Sequence, residues 1–463
     1  MQPYPMTRRA FGATLAGAAA AAAPADKLNL LILTNDQHRA DVLGCMGNPV
    51  VQTPAIDRLA SEGVLFESHY VQCPQCVPSR AALHTGRYPH TNRTPTNLYQ
   101  LSEREETLAT ILNRAGYRTA TTGELPFAPS KFLGGFQEVL PGGEKMPAGM
   151  AEARQRHAES LKRDFQAVAA PWSAEHDETA VFAGRAIGFL RASRERPFYL
   201  HVNFRRPHHP FDPPSPFDRM YDGARFPASR KRDGEMRNKP PAQQKALENS
   251  VGFDLRTMTA RDLDRIKSYY YGMVSLNDQY IGRILAELGA LGLDRRTIVV
   301  FNADHGEMLG DHGLLFKGGY FYDEVVRVPL ILRGPGLPAA RRVTGMVETI
   351  DVLPTLLELL GLPASSRIQG RSLLPVIAGR DDGKRAVHSE FPGTKMIRTR
   401  EWKLVHYLHA SYGELYNLRE DPHELDNRWD DPASARAKSD MQARLSDWLI
   451  DTEDPALAPL KAG

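Results

Sequence analysis

Two hydrophobic patterns alternate along most of this chain. Short runs dominated by apolar and β-branched residues have the length and composition of buried strands. They fall at residues 28–33, 198–204, 297–301 and 328–332. Longer segments repeat apolar residues at helical spacing, at 105–115, 181–190, 276–291 and 351–360. Strands that alternate with helices in this way predict an α/β fold: a large, mostly parallel sheet with helices on both faces.

The pattern changes after about residue 383. Shorter strand-like pieces follow at 386–390, 396–399 and 403–407, and helical spacing returns near 434–450. We therefore predict a smaller α+β domain over 383–463, with an antiparallel sheet and a terminal helix, packed on a large domain over 26–382.

Two segments of the large domain lack either pattern: residues 141–176 and 205–262. Long insertions of this kind often carry binding residues, so we expect both near the substrate entrance. The second is rich in basic residues, namely Arg225, Arg230, Lys231, Arg232, Arg237 and Lys239. Such a run is compatible with a solvated loop or with a surface that grips an anionic polymer.

Composition narrows the class of protein. Of the 463 residues, 42% are hydrophobic and 24% are charged, which is typical of a soluble globular protein. The formal net charge is only +3, so no basic bias points to nucleic acid. Three cysteines do not make a disulfide framework, and the fold must depend on its core.

The first 25 residues have the pattern of an export signal. Arg8 and Arg9 precede a weakly apolar Gly/Ala stretch, which ends in Ala-Pro-Ala at 23–25. This pattern predicts a twin-arginine signal with an Ala-x-Ala cleavage site, and hence a periplasmic or secreted protein with no membrane segment in its mature form. A disordered tail or a membrane anchor is the alternative, but the stretch is short and poor in Leu and Ile for a bilayer span.

The most informative segment is CVPSRAALHTGR at 76–87. Cys76 stands in front of a predicted short helix with Pro78 near its first turn, and Arg80 follows four positions later. Backbone N–H groups and a guanidinium beside one reactive atom form a site for an anion. Alternatives are a buried structural cysteine, or a redox or zinc element formed with Cys73. Zinc normally takes four ligands, and Cys45 is the one other cysteine in the sequence.

Two carboxylates stand just past the ends of predicted strands. Asp36 follows the run at 28–33, and Asp304 follows the run at 297–301. Open α/β sheets bind ligands at this edge, so the fold predicts that both lie in one crevice. Gln37 and His305 are adjacent candidate ligands, and the four side chains offer oxygen and nitrogen donors to a divalent cation. An isolated Asp at a strand end is more often a cap or turn residue.

These segments together resemble type I sulfatases, in the alkaline phosphatase superfamily. Besides 76–87, the similar motifs are NDQHRAD at 35–41, RPHHPF at 206–211, DHGEMLGDHG at 304–313 and ELYNL at 414–418, so the likeness extends over most of the chain. The resemblance implies an alkaline phosphatase-like fold and a sulfuric ester hydrolase. It also implies that Cys76 is converted to formylglycine (3-oxoalanine) by a formylglycine-generating enzyme.

The same resemblance implies roles for individual residues. Asp36, Gln37, Asp304, His305 and the modified Cys76 would hold the metal. Arg80, His208 and Lys317 would contact the sulfate or its leaving group, with His209 as a competitor for the role of His208. The family generally uses calcium; because this set includes a nitrogen donor, manganese and magnesium stay open.

One motif departs from the family. Many sulfatases have Gly-Lys-Trp-His after a Gly-Tyr-x-Thr phrase, whereas here GYRT at 116–119 is followed by GELP at 123–126. Glu124 therefore replaces a lysine that contacts sulfate, and Pro126 replaces a histidine that assists regeneration. A carboxylate there repels an anion unless it is turned away or paired. Lys131 or the basic insertion are candidate partners.

Three hypotheses follow. The first is an exported sulfatase that acts on a sulfated carbohydrate or an aryl ester. The second is a phosphonate or phosphate ester hydrolase of the same superfamily, with which Gln37 and His305 are compatible. The third is a weakened sulfatase-like protein that binds sulfated glycans without turnover.

Overall fold

A computed structural model of the protein describes residues 27–124, 127, 132–140, 149–193 and 196–453. The predicted export signal at 1–25, together with Pro126 and Lys131, lies outside the described residues. Within the described ranges, no helix combines the length and apolar character needed to cross a membrane.

Strands and helices alternate through the larger part of the chain. The strands are β1 Asn29–Asp36, β2 Val64–Phe66, β3 His69–Tyr70, β4 Arg118–Gly123, β5 Glu138–Val139, β6 Phe198–Pro207, β7 Thr297–Ala303, β8 Leu330–Arg333, β9 Arg341–Val343, β10 Val347–Glu348, β11 Val387–Phe391, β12 Thr394–Arg398, β13 Trp402–Tyr407 and β14 Gly413–Asn417. The α-helices are α1 Pro54–Ser61, α2 Cys76–Thr85, α3 Pro89–Asn92, α4 Leu108–Arg114, α5 Met150–Ser160, α6 Glu178–Arg191, α7 Pro241–Glu248, α8 Ala260–Ala290, α9 Asp323–Val326, α10 Val352–Leu359, α11 Leu374–Ile377 and α12 Ala435–Asp451.

The main sheet has eight strands in the order β5-β4-β6-β1-β7-β8-β2-β9. The first five are parallel, and β8 runs antiparallel to both β7 and β2. The predicted mostly parallel sheet is therefore confirmed, and all four predicted apolar runs overlap strands β1, β6, β7 and β8. Strand β8 begins at Leu330 rather than at residue 328. Pro329, which directly precedes the strand, has no N–H to donate to a neighbouring strand.

Alternate residues of β1 enter two separate cores. Leu31 and Leu33 pack with α1, α6 and α8 on one face, and Leu30 and Ile32 pack with α2, α4 and α10 on the other. A strand buried on both faces must be apolar throughout, which is why the run at 28–33 is almost continuous. The helices on both faces confirm the predicted layers.

Helix α8 is longer than the sequence pattern predicts. It begins at Ala260 rather than near 276, so its first half falls partly inside the segment interpreted as an insertion. Thr259 and Asp262 form a capping box at its start, and Tyr270, Met273 and Val274 are buried. The charged residues before these positions, at 261–267, hide the periodicity.

The smaller part of the chain is an antiparallel meander, β11-β12-β13-β14, covered by α12. Leu404 and Leu415 from the sheet pack with Met441, Leu445 and Trp448 from the helix. The predicted antiparallel sheet and terminal helix are confirmed, although β14 is an additional strand. The domain boundaries at 26–382 and 383–463 stay predictions.

The basic insertion is not simply solvated. Arg230 pairs with Glu324 at 2.9 Å and with Asp41 at 3.3 Å. Lys239 is buried, donates to the Tyr416 hydroxyl at 3.0 Å and lies 4.5 Å from the centre of that ring. These two cations of the basic insertion therefore serve internal contacts.

Candidate active site

The site forms at the carboxyl edge of the main sheet, where β1 and β7 end side by side. Asp36 is the last residue of β1 and Asp304 directly follows β7. The backbone N–H groups of Gln37 and His305 both donate to Asp304 Oδ1, at 3.1 and 2.9 Å. Parallel pairing of β1 with β7 thus brings the two predicted carboxylates into one crevice.

Cys76 is the first residue of α2 and is 9% exposed. Its Sγ lies 3.7 Å from Asp36 Oδ1 and 3.2 Å from His305 Nε2. Burial raises the pKa of its thiol to about 12, and Asp36 adds to this, while Lys317 and Arg80 oppose it. An unmodified thiol here is therefore protonated and is a weak nucleophile.

The donor set fits a divalent cation. One ligand atom each from Asp36, Cys76, Asp304 and His305 lies within 4.8 Å of the others, and all four residues are buried. Gln37 Oε1 is also buried and has no hydrogen-bond partner among the described residues. Carboxylate and amide oxygens with one imidazole nitrogen are ligands for Ca²⁺ or Mn²⁺.

Two hydrogen-bond patterns orient this donor set. His305 Nδ1 donates to the Gly306 carbonyl at 2.9 Å, so the lone pair of Nε2 points toward Asp36 and Cys76. The side-chain amide of Gln37 donates to Glu307 and, at 3.2 Å, to His209 Nδ1, which leaves its Oε1 free. Burial raises the pKa of Glu307 to about 7, against opposing hydrogen bonds from the N–H groups of Leu309 and Phe316.

Two cations balance the carboxylates. Arg80 is 3% exposed; its Nε donates to Asp304 Oδ2 at 2.9 Å and its Nη2 donates to Asp36. Lys317 Nζ lies 2.8 Å from Cys76 Sγ and 2.9 Å from His305 Nε2. Burial raises the pKa of Asp36, but Arg80 and Lys317 outweigh burial and hold that pKa below its usual value.

His208 rather than His209 contacts Lys317. Its Nε2 accepts from Lys317 Nζ at 3.0 Å, and its Nδ1 donates to the His209 carbonyl at 2.5 Å. Burial lowers the pKa of His208 well below its ordinary value, and Lys317 lowers it further. His209 instead packs against Phe316, with ring centres 4.5 Å apart.

The unusual Glu124 is half-exposed at the end of β4. Its Oε2 lies 4.0 Å from Arg205 Nε, a long pair between side chains that are 42% and 44% exposed. It is near enough to raise the pKa of Arg80, although less than Asp304 and Asp36 do. Arg205 is therefore its partner among the described residues, and the contact is weak.

Sequence reasoning missed two residues of the site. Glu307 lies inside the second metal motif but carries no distinguishing pattern of its own. Asn97 accepts from the Val77 N–H at 3.0 Å and so occupies a free donor in the first turn of α2. Its loop is distant in sequence, and no spacing could have linked it to Cys76.

The comparisons with known proteins agree with this geometry. A family model described as Sulfatase matches residues 28–362, and a second, described as N-sulphoglucosamine sulphohydrolase, C-terminal, matches 310–451. The chain belongs to the sulfatase family. As a sulfatase-family protein with sulfatase relatives, it is a hydrolase, and its fold is of the alkaline phosphatase-like type.

Individual relatives of this sulfatase-family chain differ in activity. The multifunctional alkaline phosphatase superfamily protein PehA of Trinickia caryophylli is 28% identical, over 93% of this chain and 96% of PehA. An arylsulfatase of Clostridium perfringens is 29% identical, over 87% of this chain and 90% of its own length. The solved phosphonate monoester hydrolase of Agrobacterium radiobacter is 30% identical with a TM-score of 0.81, covering 93% of this chain and 97% of that one.

Proposed function

We propose that this sulfatase-family hydrolase releases sulfate from sulfate esters, with a formylglycine made from Cys76 as the nucleophile and a divalent cation, calcium in the first instance, beside it. One observation carries the proposal. The Cys76 side chain lies in the same buried group as Asp36, Asp304 and His305, within 4.8 Å. Asp36, Gln37, Asp304, His305 and the modified residue 76 would hold the cation.

The modified residue and the cation would supply two kinds of chemistry. A hydrated aldehyde at residue 76 would supply the attacking oxygen and would let sulfate leave without hydrolysis of an ordinary alkyl sulfate. A bound cation would supply Lewis acidity, which favours an ionised nucleophile and neutralises charge on the sulfate.

The chain's own residues bind and orient the substrate. Arg80 and Lys317 provide fixed positive charge beside residue 76, where the sulfate oxygens would lie. As the bond from sulfur to the leaving oxygen breaks, that oxygen needs a proton. Lys317 donates a hydrogen bond to His208, so we assign proton donation to Lys317, with His208 holding its ammonium in place.

Phosphonate monoester hydrolysis is the second candidate. It is favoured by the similarity to the Agrobacterium enzyme and by a ligand set that contains Gln37 and His305. Both substrate classes present a tetrahedral monoanion to the same cations, so the arrangement of charges at Cys76 does not separate them.

Two measurements test the proposal. Mass spectrometry of the peptide that spans Cys76, from protein made in its own host, is expected to show the aldehyde; a free thiol there would contradict the proposal. Aryl sulfate and aryl phosphonate monoester are then assayed in parallel, with calcium, manganese or magnesium. Faster turnover of the phosphonate would move the assignment to the second candidate. Tight sulfate binding without turnover of either ester would mean a binding protein.

The variant Cys76→Ser gives a sharper test. An ordinary serine would be left with a stable sulfate ester, so we expect at most one turnover per molecule. The matched control is Cys45→Ser, because Cys45 is half-buried and lies outside the metal group. Sustained turnover by Cys76→Ser would exclude the mechanism.

We also propose that the natural substrate is a sulfated carbohydrate and that the protein is exported after a formylglycine-generating enzyme has modified Cys76. The twin-arginine pattern at 1–25 supports this order, because that route carries folded proteins. Fractionation of the native host tests it: unprocessed protein in the cytoplasm would contradict export.

A further inference from the structure

A cavity of about 310 Å³ lies beside His208, outside the group of metal-binding candidates. It is formed by α5, the start of α6 and the chain just after β6. Arg154, His157, Ala158, Leu161 and Trp172 line it, so the first predicted insertion does reach the region of the site. The volume is at the small end for ligand pockets and suits one ring-sized group.

The cavity is next to the reacting atoms. His208 lines it, and His208 Nε2 is 3.0 Å from Lys317 Nζ, which is itself 2.8 Å from Cys76 Sγ. In the proposed reaction, the leaving oxygen takes its proton at Lys317. A group attached to that oxygen on the His208 side of Lys317 would extend toward this cavity, which His208 lines.

The charges that line the cavity cancel. Its wall contains three arginines and three carboxylates: Arg154, Arg205, Arg206, Asp177, Glu178 and Asp212. Arg206 is buried and its guanidinium is bound by Asp177 at 2.7 Å and by Asp212 at 2.6 Å. A second anionic group on the substrate would find no net positive charge here.

The remaining wall offers mixed polar and aromatic contacts. Arg154 is exposed on α5, with its guanidinium carbon 5.6 Å from the centre of the Trp172 ring. Glu178 provides acceptors, and Arg154 and Arg205 provide donors. A sugar hydroxyl both donates and accepts, so a polyhydroxylated ring can use both kinds of partner while its C–H face lies against Trp172.

We propose that this cavity binds the leaving group of the substrate as a single uncharged, hydroxyl-bearing sugar ring. The inference rests on the proposed function and specifies its substrate class. The cavity would bind esters less well when their sugar carries a carboxylate or a second sulfate. It also makes Arg154 and Trp172 determinants of specificity that do not touch the sulfur.

The experiment compares kcat/KM for a monosulfated neutral hexose, a sulfated hexuronate and 4-nitrophenyl sulfate. The wild type is expected to prefer the neutral hexose ester to the hexuronate. Arg154→Ala should lower kcat/KM for the hexose ester about tenfold more than for the aryl ester, since one hydrogen bond to a charged group is lost. Trp172→Phe, which keeps a ring, should have a smaller effect.

Arg156→Ala is the matched control, because Arg156 is exposed on the same helix but does not line the cavity. It should change none of the three values. A preference for the hexuronate, or an equal effect of Arg154→Ala on the hexose and aryl esters, would overturn the inference and leave the hydrolase assignment intact.

If no ester is turned over, that result counts against the proposed function and not against the cavity assignment. A binding measurement then tests the cavity assignment by itself. Full-length protein is titrated with an unsulfated methyl hexoside and observed by ligand NMR. Binding that Arg154→Ala weakens supports the cavity assignment, whereas no binding, or binding unaffected by Arg154→Ala, overturns it.

Discussion

Replacement of Arg80 by glutamine should destabilise the metal-free protein strongly and the metal-loaded protein much less. Arg80 bridges Asp36 and Asp304, and the three side chains are 1–3% exposed. Loss of one partner from a buried ion pair costs about 3–5 kcal/mol, because the other partner keeps an uncompensated charge. Two hydrogen bonds to charged groups, at about 1.5–3 kcal/mol each, lead to a similar figure.

A divalent cation would neutralise the same two carboxylates. The variant should therefore gain more from calcium than the wild type does, and we expect its deficit to fall by at least half in saturating calcium. Half of a deficit of about 4 kcal/mol is about 2 kcal/mol, which in saturating calcium corresponds to about 30-fold tighter calcium binding by the variant than by the wild type.

The assay is denaturant unfolding followed by tryptophan fluorescence, once with chelator and once with excess calcium. Arg58→Gln is the control: its ion pair with Glu62 is on the surface, and no measurable change is expected in either condition. A deficit of Arg80→Gln that is equal with and without calcium would refute the idea that the guanidinium and the cation share these carboxylates. A deficit below about 1 kcal/mol in chelator would refute the burial argument, since that is the range of a surface pair.

Four further outcomes are expected. Lys317→Met should lower kcat about 10²- to 10³-fold while mass spectrometry still shows the aldehyde at residue 76; activity within tenfold of wild type would exclude Lys317 as the donor. Asp177→Ala, which removes both the N-cap of α6 and one of the two carboxylates that bind Arg206, should reduce the free energy of unfolding by about 2–4 kcal/mol, and a loss under about 1 kcal/mol would contradict that. Burial raises the pKa of Asp278 from 3.8 to about 7, so the folded state keeps a proton that the unfolded state releases. The stability of wild type relative to Asp278→Asn should therefore fall by about 4 kcal/mol as the pH rises from 4 to 8, and a difference independent of pH would refute it. Glu124→Gln should raise kcat/KM for sulfate esters about two- to fivefold at low salt and not at 1 M salt; no change at low salt would mean that Arg205 already neutralises this carboxylate.

Most of the sequence predictions that the structure confirms depend on continuous apolar runs and short motifs. The run at 28–33 predicts β1 because a strand buried on both faces has no polar positions, and its end then locates Asp36. The sequence pattern underestimates the length of helix α8, because charged residues and tyrosines share its first half. Contacts between distant segments could not be read from local patterns. The Gln37–Glu307 hydrogen bond and the position of Asn97 depend on how loops pack, and neither leaves a periodic signal.

Helix α9 connects the loop that carries His305 to the C-terminal meander. The backbone N–H groups of Gly306 and Glu307 donate to carbonyls of α9, and a Cβ at Gly306 would lie 1.9 Å from the Glu324 oxygen. On its other side, Asp323 of α9 is bound by Lys403 at 2.7 Å and by Arg398 at 3.2 Å. The meander is thus connected through α9 to the loop that carries His305, and loss of the meander would remove the two cations that bind Asp323 of that helix.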